Sequence, residues 1–206
     1  MPPRTIFIVR HGEKPDPPVP PAKTSSPPGL DVYGKPNDHS LVPRGWHRAA
    51  ALATLFAPAQ GPLRPGLLTP TELIAPDYGD DEKNLVHRTN QTILPLARLL
   101  SLHIEKAGGK EKGNPVSFQE GNEPAIGEVV ANELAGVTLI CWEHTAIYQI
   151  ASNIPTVAGT RIPQHWPGKR FDVIYSFTRN SNSGPYTFTQ ILQELFADDG
   201  TTTIPP

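Results

Sequence analysis

At 206 residues the chain is long enough for one domain whose sheet is covered by helices on both faces. Its 18 Lys plus Arg against 20 Asp plus Glu leave a net charge of −2, with no basic excess to hold a polyphosphate backbone, so nucleic acid is not an expected partner. The most apolar runs, such as Ile6-Phe7-Ile8-Val9, are far too short to cross a bilayer, and no membrane partner is expected.

Thr5-Ile6-Phe7-Ile8-Val9 is a continuous β-branched and aromatic run, the pattern of a strand buried on both faces. It ends at Arg10-His11-Gly12, which puts polar groups at the carboxyl end of a central strand, where open α/β sheets bind ligands. Proline then dominates: the chain has 25, about twice the usual share, and many fall between 15 and 43. Asp16-Pro17-Pro18-Val19-Pro20-Pro21 and Ser26-Pro27-Pro28-Gly29 exclude helix and sheet interior, so this stretch is read as a long ordered loop. Pro43 suits a first helical turn, and Trp46, Ala49, Ala50, Ala53 and Phe56 follow at helical spacing. Leu73-Ile74-Ala75 reads as a short strand. A helix is expected from about Asn84, with Pro95 kinking it or marking a restart.

Pro115-Val116-Ser117-Phe118 is a weak strand candidate, and Ala125 to Leu134 reads as a helix stopped by Gly136. Val137-Thr138-Leu139-Ile140-Cys141-Trp142 is the second strong buried strand. It too ends in charged chemistry, Glu143-His144, before a helix from Thr145 to about Ser152. Cys141, the single cysteine, cannot close an internal disulfide and sits among apolar neighbours, so it is expected to be inert packing. Met1-Pro2-Pro3-Arg4 carries no secretory apolar core, and a reducing, cytoplasmic setting is the expectation. Phe171 to Phe177 and Tyr186 to Ile191 form a hairpin pattern around Asn180-Ser181-Asn182-Ser183-Gly184, so that the C-terminal hairpin spans about 170–191. The βαβα order predicts an α/β fold: a three-layer αβα sandwich with a mostly parallel sheet, in one domain over 1–206.

Two buried strands, far apart in sequence, each deliver a histidine at the carboxyl end. If they are neighbours, His11 and His144 face one crevice. Arg10 adds a fixed cation, and Arg88 near a helix start adds another. Guanidinium forks bond phosphate oxygens in pairs and stay charged at any working pH, so this set suits a tetrahedral dianion.

The residues carrying that set resemble the histidine phosphatase superfamily, which includes the cofactor-dependent phosphoglycerate mutases. Phe7-Ile8-Val9-Arg10-His11-Gly12-Glu13 is similar to its Arg-His-Gly signature. Ser40-Leu41-Val42-Pro43-Arg44-Gly45 through Ala49 resembles its Leu-Thr-x-x-Gly-x-x-x-Ala helix start, with Val42 in place of Thr. Asn84 to Thr92 resembles the segment that supplies a second phosphate-binding arginine, here Arg88, and Leu139 to His144 resembles the strand that ends in the second catalytic histidine. The matches keep the family's order from Thr5 to Ser152. The resemblance implies a phosphoglycerate mutase-like fold and a metal-independent phosphomonoester hydrolase without a cofactor. In it His11 forms a phosphohistidine, and Arg10, Arg88 and His144 stabilise the equatorial oxygens.

The acid that protonates the leaving alcohol is open. The mutase-like branch takes a glutamate from a middle segment, which points to Glu120 or Glu123. The acid-phosphatase branch uses an aspartate directly after the second histidine, where this chain has Thr145. Glu143 and Glu13 adjoin the histidines, and Asp16 and Asp172 are further candidates if their loops fold inwards. General acid work is worth on the order of a hundredfold or more. His47, His87, His103 and His165 lack such context and are expected on surfaces or helix faces. Trp166-Pro167 and Phe171-Asp172 either lean over the site or pack the hairpin.

Three rivals stand beside hydrolysis. A metal site from His11, Glu13 and His144 lacks a third well-spaced ligand and has Arg10 repelling the cation. A binding protein would keep the phosphate pocket without efficient turnover. A mutase would return the phosphoryl group to a second hydroxyl, which needs a closed, water-free site. A small phosphorylated substrate is the expected partner; neither its identity nor an oligomeric state is written in these motifs.

Overall fold

The computed structural model describes residues 5–16, 27–105, 118–134, 136–181 and 183–206. Strand β1 (Thr5–Arg10) is buried at every position, as an uninterrupted apolar run requires. Helix α1 (Pro43–Phe56) starts with Pro43 in its first turn, where the missing N–H costs nothing. Its buried face is Gly45, Arg48, Ala49, Leu52, Ala53 and Phe56. The sequence pattern placed Trp46 and Ala50 on that face instead. Arg48 displaces them because it meets the carboxylates of Glu13 and Asp199, and a charge with such partners can sit where hydropathy alone excludes it.

Strand β2 (Glu72–Ile74) follows, then α2 (Asp81–Val86), capped by the Asp80 side chain, which accepts from the Lys83 amide. Helix α3 (Arg88–Leu100) continues through Pro95 without a restart. The expected interruption comes earlier, at His87, whose backbone is extended. The His87 amide closes α2 onto the Asn84 carbonyl, and the freed Arg88 amide finds the His39 carbonyl at 3.1 Å. Arg88 therefore becomes the first residue of a new helix. Strand β3 (Ile104–Glu105) has no sequence signal. Of the weak candidate Pro115–Phe118, only Phe118 lies within the described residues; it is buried, and its carbonyl accepts from Asp77.

Helix α4 (Glu123–Asn132), strand β4 (Val137–Trp142) and helix α5 (Ile147–Ser152) lead to strands β5 (Val173–Thr178) and β6 (Thr187–Leu192), an antiparallel hairpin as expected. The result is an α/β fold on a mixed six-stranded sheet in the order β3-β2-β4-β1-β5-β6. Strands β3, β2, β4 and β1 are parallel to one another, and β5 runs against β1. Alternate side chains of the central strands feed two apolar clusters. One gathers Ile6, Ile8, Ile140 and Trp142 with Ile126 and Val130 of α4 and Ile147 and Ile150 of α5. The other gathers Phe7, Val9, Leu139 and Cys141 with Leu52 and Phe56 of α1 and Ile93 and Leu96 of α3. Among the described residues no helix is long and apolar enough to cross a membrane.

Part of the proline-rich stretch, 17–26, lies outside the described residues. From Gly29 onwards it is tied down: Leu30 donates to Leu41, Asn37 to Gly29, and the Trp46 indole to the Leu30 carbonyl.

Candidate active site

The parallel register of β1 and β4 sets Arg10 beside Trp142 and Val9 beside Cys141. Both strands stop at that level, and the His11 amide still reaches the Trp142 carbonyl at 3.3 Å. Whatever follows Trp142 must therefore face whatever follows Arg10. The two histidines and Glu143 meet there: one donor atom from each of His11, Glu143 and His144 lies within 4.8 Å of the others.

His11 is fully buried. Its Nδ1 lies 2.6 Å from the Gly12 carbonyl, which can only accept, so Nδ1 carries a proton. Its Nε2 lies 3.0 Å from Glu143 Oε2. With acceptors facing both ring nitrogens, Nε2 and that carboxylate are placed to exchange one further proton. Burial pushes the His11 imidazolium down from its usual range, while the hydrogen bond and charge of Glu143 oppose this. Burial alone would raise the Glu143 carboxyl. The hydrogen bond to His11 and the charges of His11, Arg88 and Arg10 outweigh it and hold Glu143 at about 2.

Arg88 donates from Nη2 to Glu143 Oε1 at 3.4 Å and from Nη1 to the Asp38 carbonyl at 3.1 Å. Arg10 spends Nη1 on the carbonyls of Gly168 at 2.8 Å and Arg170 at 3.0 Å, and its guanidinium lies 4.0 Å over the Phe171 ring. Burial, followed by nearby Arg88, lowers Arg10 to about 10, against the pull of Glu143; it stays charged at neutral pH. Arg10 Nε and Nη2 and Arg88 Nε are buried and have no hydrogen-bond partner among the described residues. His144 Nδ1, equally unpartnered, lies 3.9 Å from Glu143 Oε2. Burial and then Arg10 bring His144 down to about 4, which leaves a neutral imidazole with one N–H to give.

The donor set of His11, Glu143 and His144 is tight enough to grip a cation, but two guanidinium groups beside it set the local potential. Fixed positive charge with unspent N–H groups suits an oxyanion.

The remaining carboxylate candidates separate cleanly. Glu13 turns away to Arg48 Nη2 at 2.8 Å and Arg44 Nε at 3.1 Å. Asp172 is buried against Arg170 at 2.7 Å and accepts from the Gly200 amide. Glu123 is buried and accepts from the Trp142 indole at 3.2 Å and the Gly121 amide at 3.1 Å. Asp16 is exposed. Glu120 accepts from the Tyr78 hydroxyl at 3.2 Å, and that phenol stacks face to face on His87 at 3.4 Å. Glu143 alone among them touches His11. Glu123→Gln keeps the acceptor for the indole and is expected to cost turnover far less than the roughly hundredfold loss of a general acid. Steady-state kinetics of that variant check it; a loss of that size would return Glu123 to the chemistry.

Two contributors lack a strong sequence signal. Phe171 does lean over the site, its ring 6.1 Å from that of His11, while Trp166 packs on Tyr175 in the core. Thr92 accepts from the Gly12 amide at 2.8 Å and donates to the Arg88 carbonyl at 2.7 Å. A hydroxyl one helical turn after Arg88 is the only hint of that role. The exposed His47, His103 and His165 take no part in the site. Gly45 explains its place in the helix-start motif: a Cβ there would stand 2.5 Å from the Glu13 carbonyl, so α1 can approach the end of β1 only without one.

No family model matches the chain, and no curated protein matches it either.

Proposed function

We propose that the protein is a metal-independent phosphomonoester hydrolase of the histidine phosphatase type, acting on a small phosphorylated substrate in the cytoplasm through a phosphohistidine on His11. The fold reading that goes with it is a three-layer αβα sandwich of the phosphoglycerate mutase kind. The observation that carries the proposal is the His11 ring, anchored by Nδ1–H on the Gly12 carbonyl so that Nε2 faces Glu143, with Arg88 and His144 gathered round the same carboxylate and Arg10 beside His11.

In this reading Nε2 attacks phosphorus in line while Arg10, Arg88 and His144 hold the equatorial oxygens. Water then attacks the phosphohistidine from the face the alcohol has left. The unspent donors on Arg10 and Arg88 supply the positive charge the transition state needs. Glu143 and Glu120 are the carboxylates available for proton transfer.

The test is hydrolysis of p-nitrophenyl phosphate with EDTA present. The expected result is turnover that the chelator leaves unchanged, with a phosphoenzyme that survives base and is lost in acid. No release of p-nitrophenol, with phosphate still bound, would favour the second reading, a phosphate-ligand-binding protein. The observation on its side is that Glu143 stands directly in front of Nε2.

A further inference from the structure

We infer that Glu143 is both an internal anion that the phosphoryl group displaces and the acid of the reaction, receiving its proton from His11 Nε2 and giving it to the leaving alcohol. The inference rests on the hydrolase reading above and assigns the proton path within it.

Geometry carries the first half. An atom poised for in-line attack stands about 3–3.5 Å from its target. The group standing 3.0 Å from Nε2 is Glu143 Oε2. Its other oxygen takes Arg88 Nη2, and His144 Nδ1 lies within 3.9 Å. The carboxylate thus engages His11 and Arg88 and lies near His144, all of which a phosphoryl group would use. It has only two oxygens for them, and Arg10 Nε, Arg10 Nη2 and Arg88 Nε stay unpartnered. A phosphoryl group brings three equatorial oxygens to the same donors. The tetrahedral anion therefore fits the donor set better than the residue that holds it.

Proton accounting carries the second half. Nδ1–H is committed to the Gly12 carbonyl, so Nε2 is the attacking nitrogen, and a proton it carries passes to Glu143 before attack. One transfer makes both reagents: a bare Nε2 and a protonated carboxyl beside it. The Nε2 pair then forms the N–P bond, the P–O bond breaks, and the departing oxygen takes the Glu143 proton and leaves as neutral alcohol. In the second half the Glu143 carboxylate takes a proton from water. The hydroxide forms the new P–O bond, the N–P pair returns to Nε2, and phosphate leaves. Glu143 then holds the proton again and shares it with Nε2.

Glu143→Gln tests both halves. Its amide is neutral and cannot release a proton, so two opposite effects are expected. Sulfate, followed by calorimetry, binds about tenfold more tightly because a like charge has gone. The kcat/KM for glycerol phosphate, which reads the phosphorylation half and whose alkoxide needs a proton, falls about a hundredfold or more, while the kcat/KM for p-nitrophenyl phosphate, with a stable leaving anion, loses much less. Glu143→Asp keeps an acid and is expected to restore much of the balance between the two substrates. Equal losses on both substrates with unchanged sulfate affinity would make Glu143 a structural residue and overturn the inference, leaving the hydrolase reading standing. The same substrate split appearing in Glu120→Gln instead would move the acid there. Wild-type protein that binds sulfate but turns over neither substrate retires the hydrolase reading and the proton path together.

Discussion

His11→Ala is expected to lower kcat/KM for any phosphomonoester by at least about 10⁴-fold, because it removes the nucleophile of the proposed reaction. The other imidazole is not expected to take over: Glu143 Oε2 stands 3.0 Å from His11 Nε2 and 3.9 Å from His144 Nδ1, and in the proposed reaction His144 touches an equatorial oxygen. The loss should appear in kcat with sulfate affinity largely kept, since Arg10 and Arg88 remain. Steady-state kinetics, combined with acid-labile phosphoenzyme trapping, separate the two effects. Residual turnover within about a hundredfold of wild type would mean that water is activated directly and that His11 is no nucleophile.

The second large effect is on stability. Arg48, 3% exposed, donates from Nη2 to Glu13 at 2.8 Å and to Asp199 at 2.7 Å, and from Nη1 to Gln193 at 3.1 Å. Its guanidinium also lies 4.6 Å from the Phe196 ring. Arg48→Ala leaves two carboxylates without their common partner, one of them almost fully buried, and is expected to cost about 3–5 kcal/mol. Urea unfolding measures it, and a loss below about 1 kcal/mol would mean that water reaches Glu13 and Asp199 freely. Burial alone would raise the Asp199 carboxyl, yet bonds from Arg48 and from the Leu195 and Phe196 amides hold it below its ordinary value. A group depressed in the folded state contributes fully above its unfolded pKa and loses that contribution as pH falls through the folded one. Stability of the wild type should therefore fall as pH drops below the ordinary carboxyl value of 3.8, and that acid limb should shrink in Arg48→Ala.

Local patterns carried much of this fold. The two central strands are long apolar runs, and their ends mark the site because a parallel pair in register must bring Arg10-His11 and Glu143-His144 together. Helix α1 was bounded by Pro43 and Phe56 for equally local reasons. Positions that depend on distant partners were not legible. The break at His87 depends on the His39 carbonyl accepting from Arg88, and no window around Pro95 contains that fact. Strand β3 is two residues long and borrows its pairing from β2. Glu13 looked catalytic by adjacency, whereas Arg48, on the next helix, claims it. Glu123 matched the middle-segment expectation but is used by the Trp142 indole, a partner that pattern reading treats as apolar. Adjacency gave the right neighbour for His11 only where the strand register enforced it.

The Thr92 hydroxyl, bonded to the Gly12 amide on one side and the Arg88 carbonyl on the other, has a mechanical consequence. It splints the tip of a strand to the first turn of a helix, so thermal jostling moves the backbone next to His11 and the Arg88 backbone together. Replacing that hydroxyl by a methyl of equal size would keep every charged group and still slacken the spacing between them.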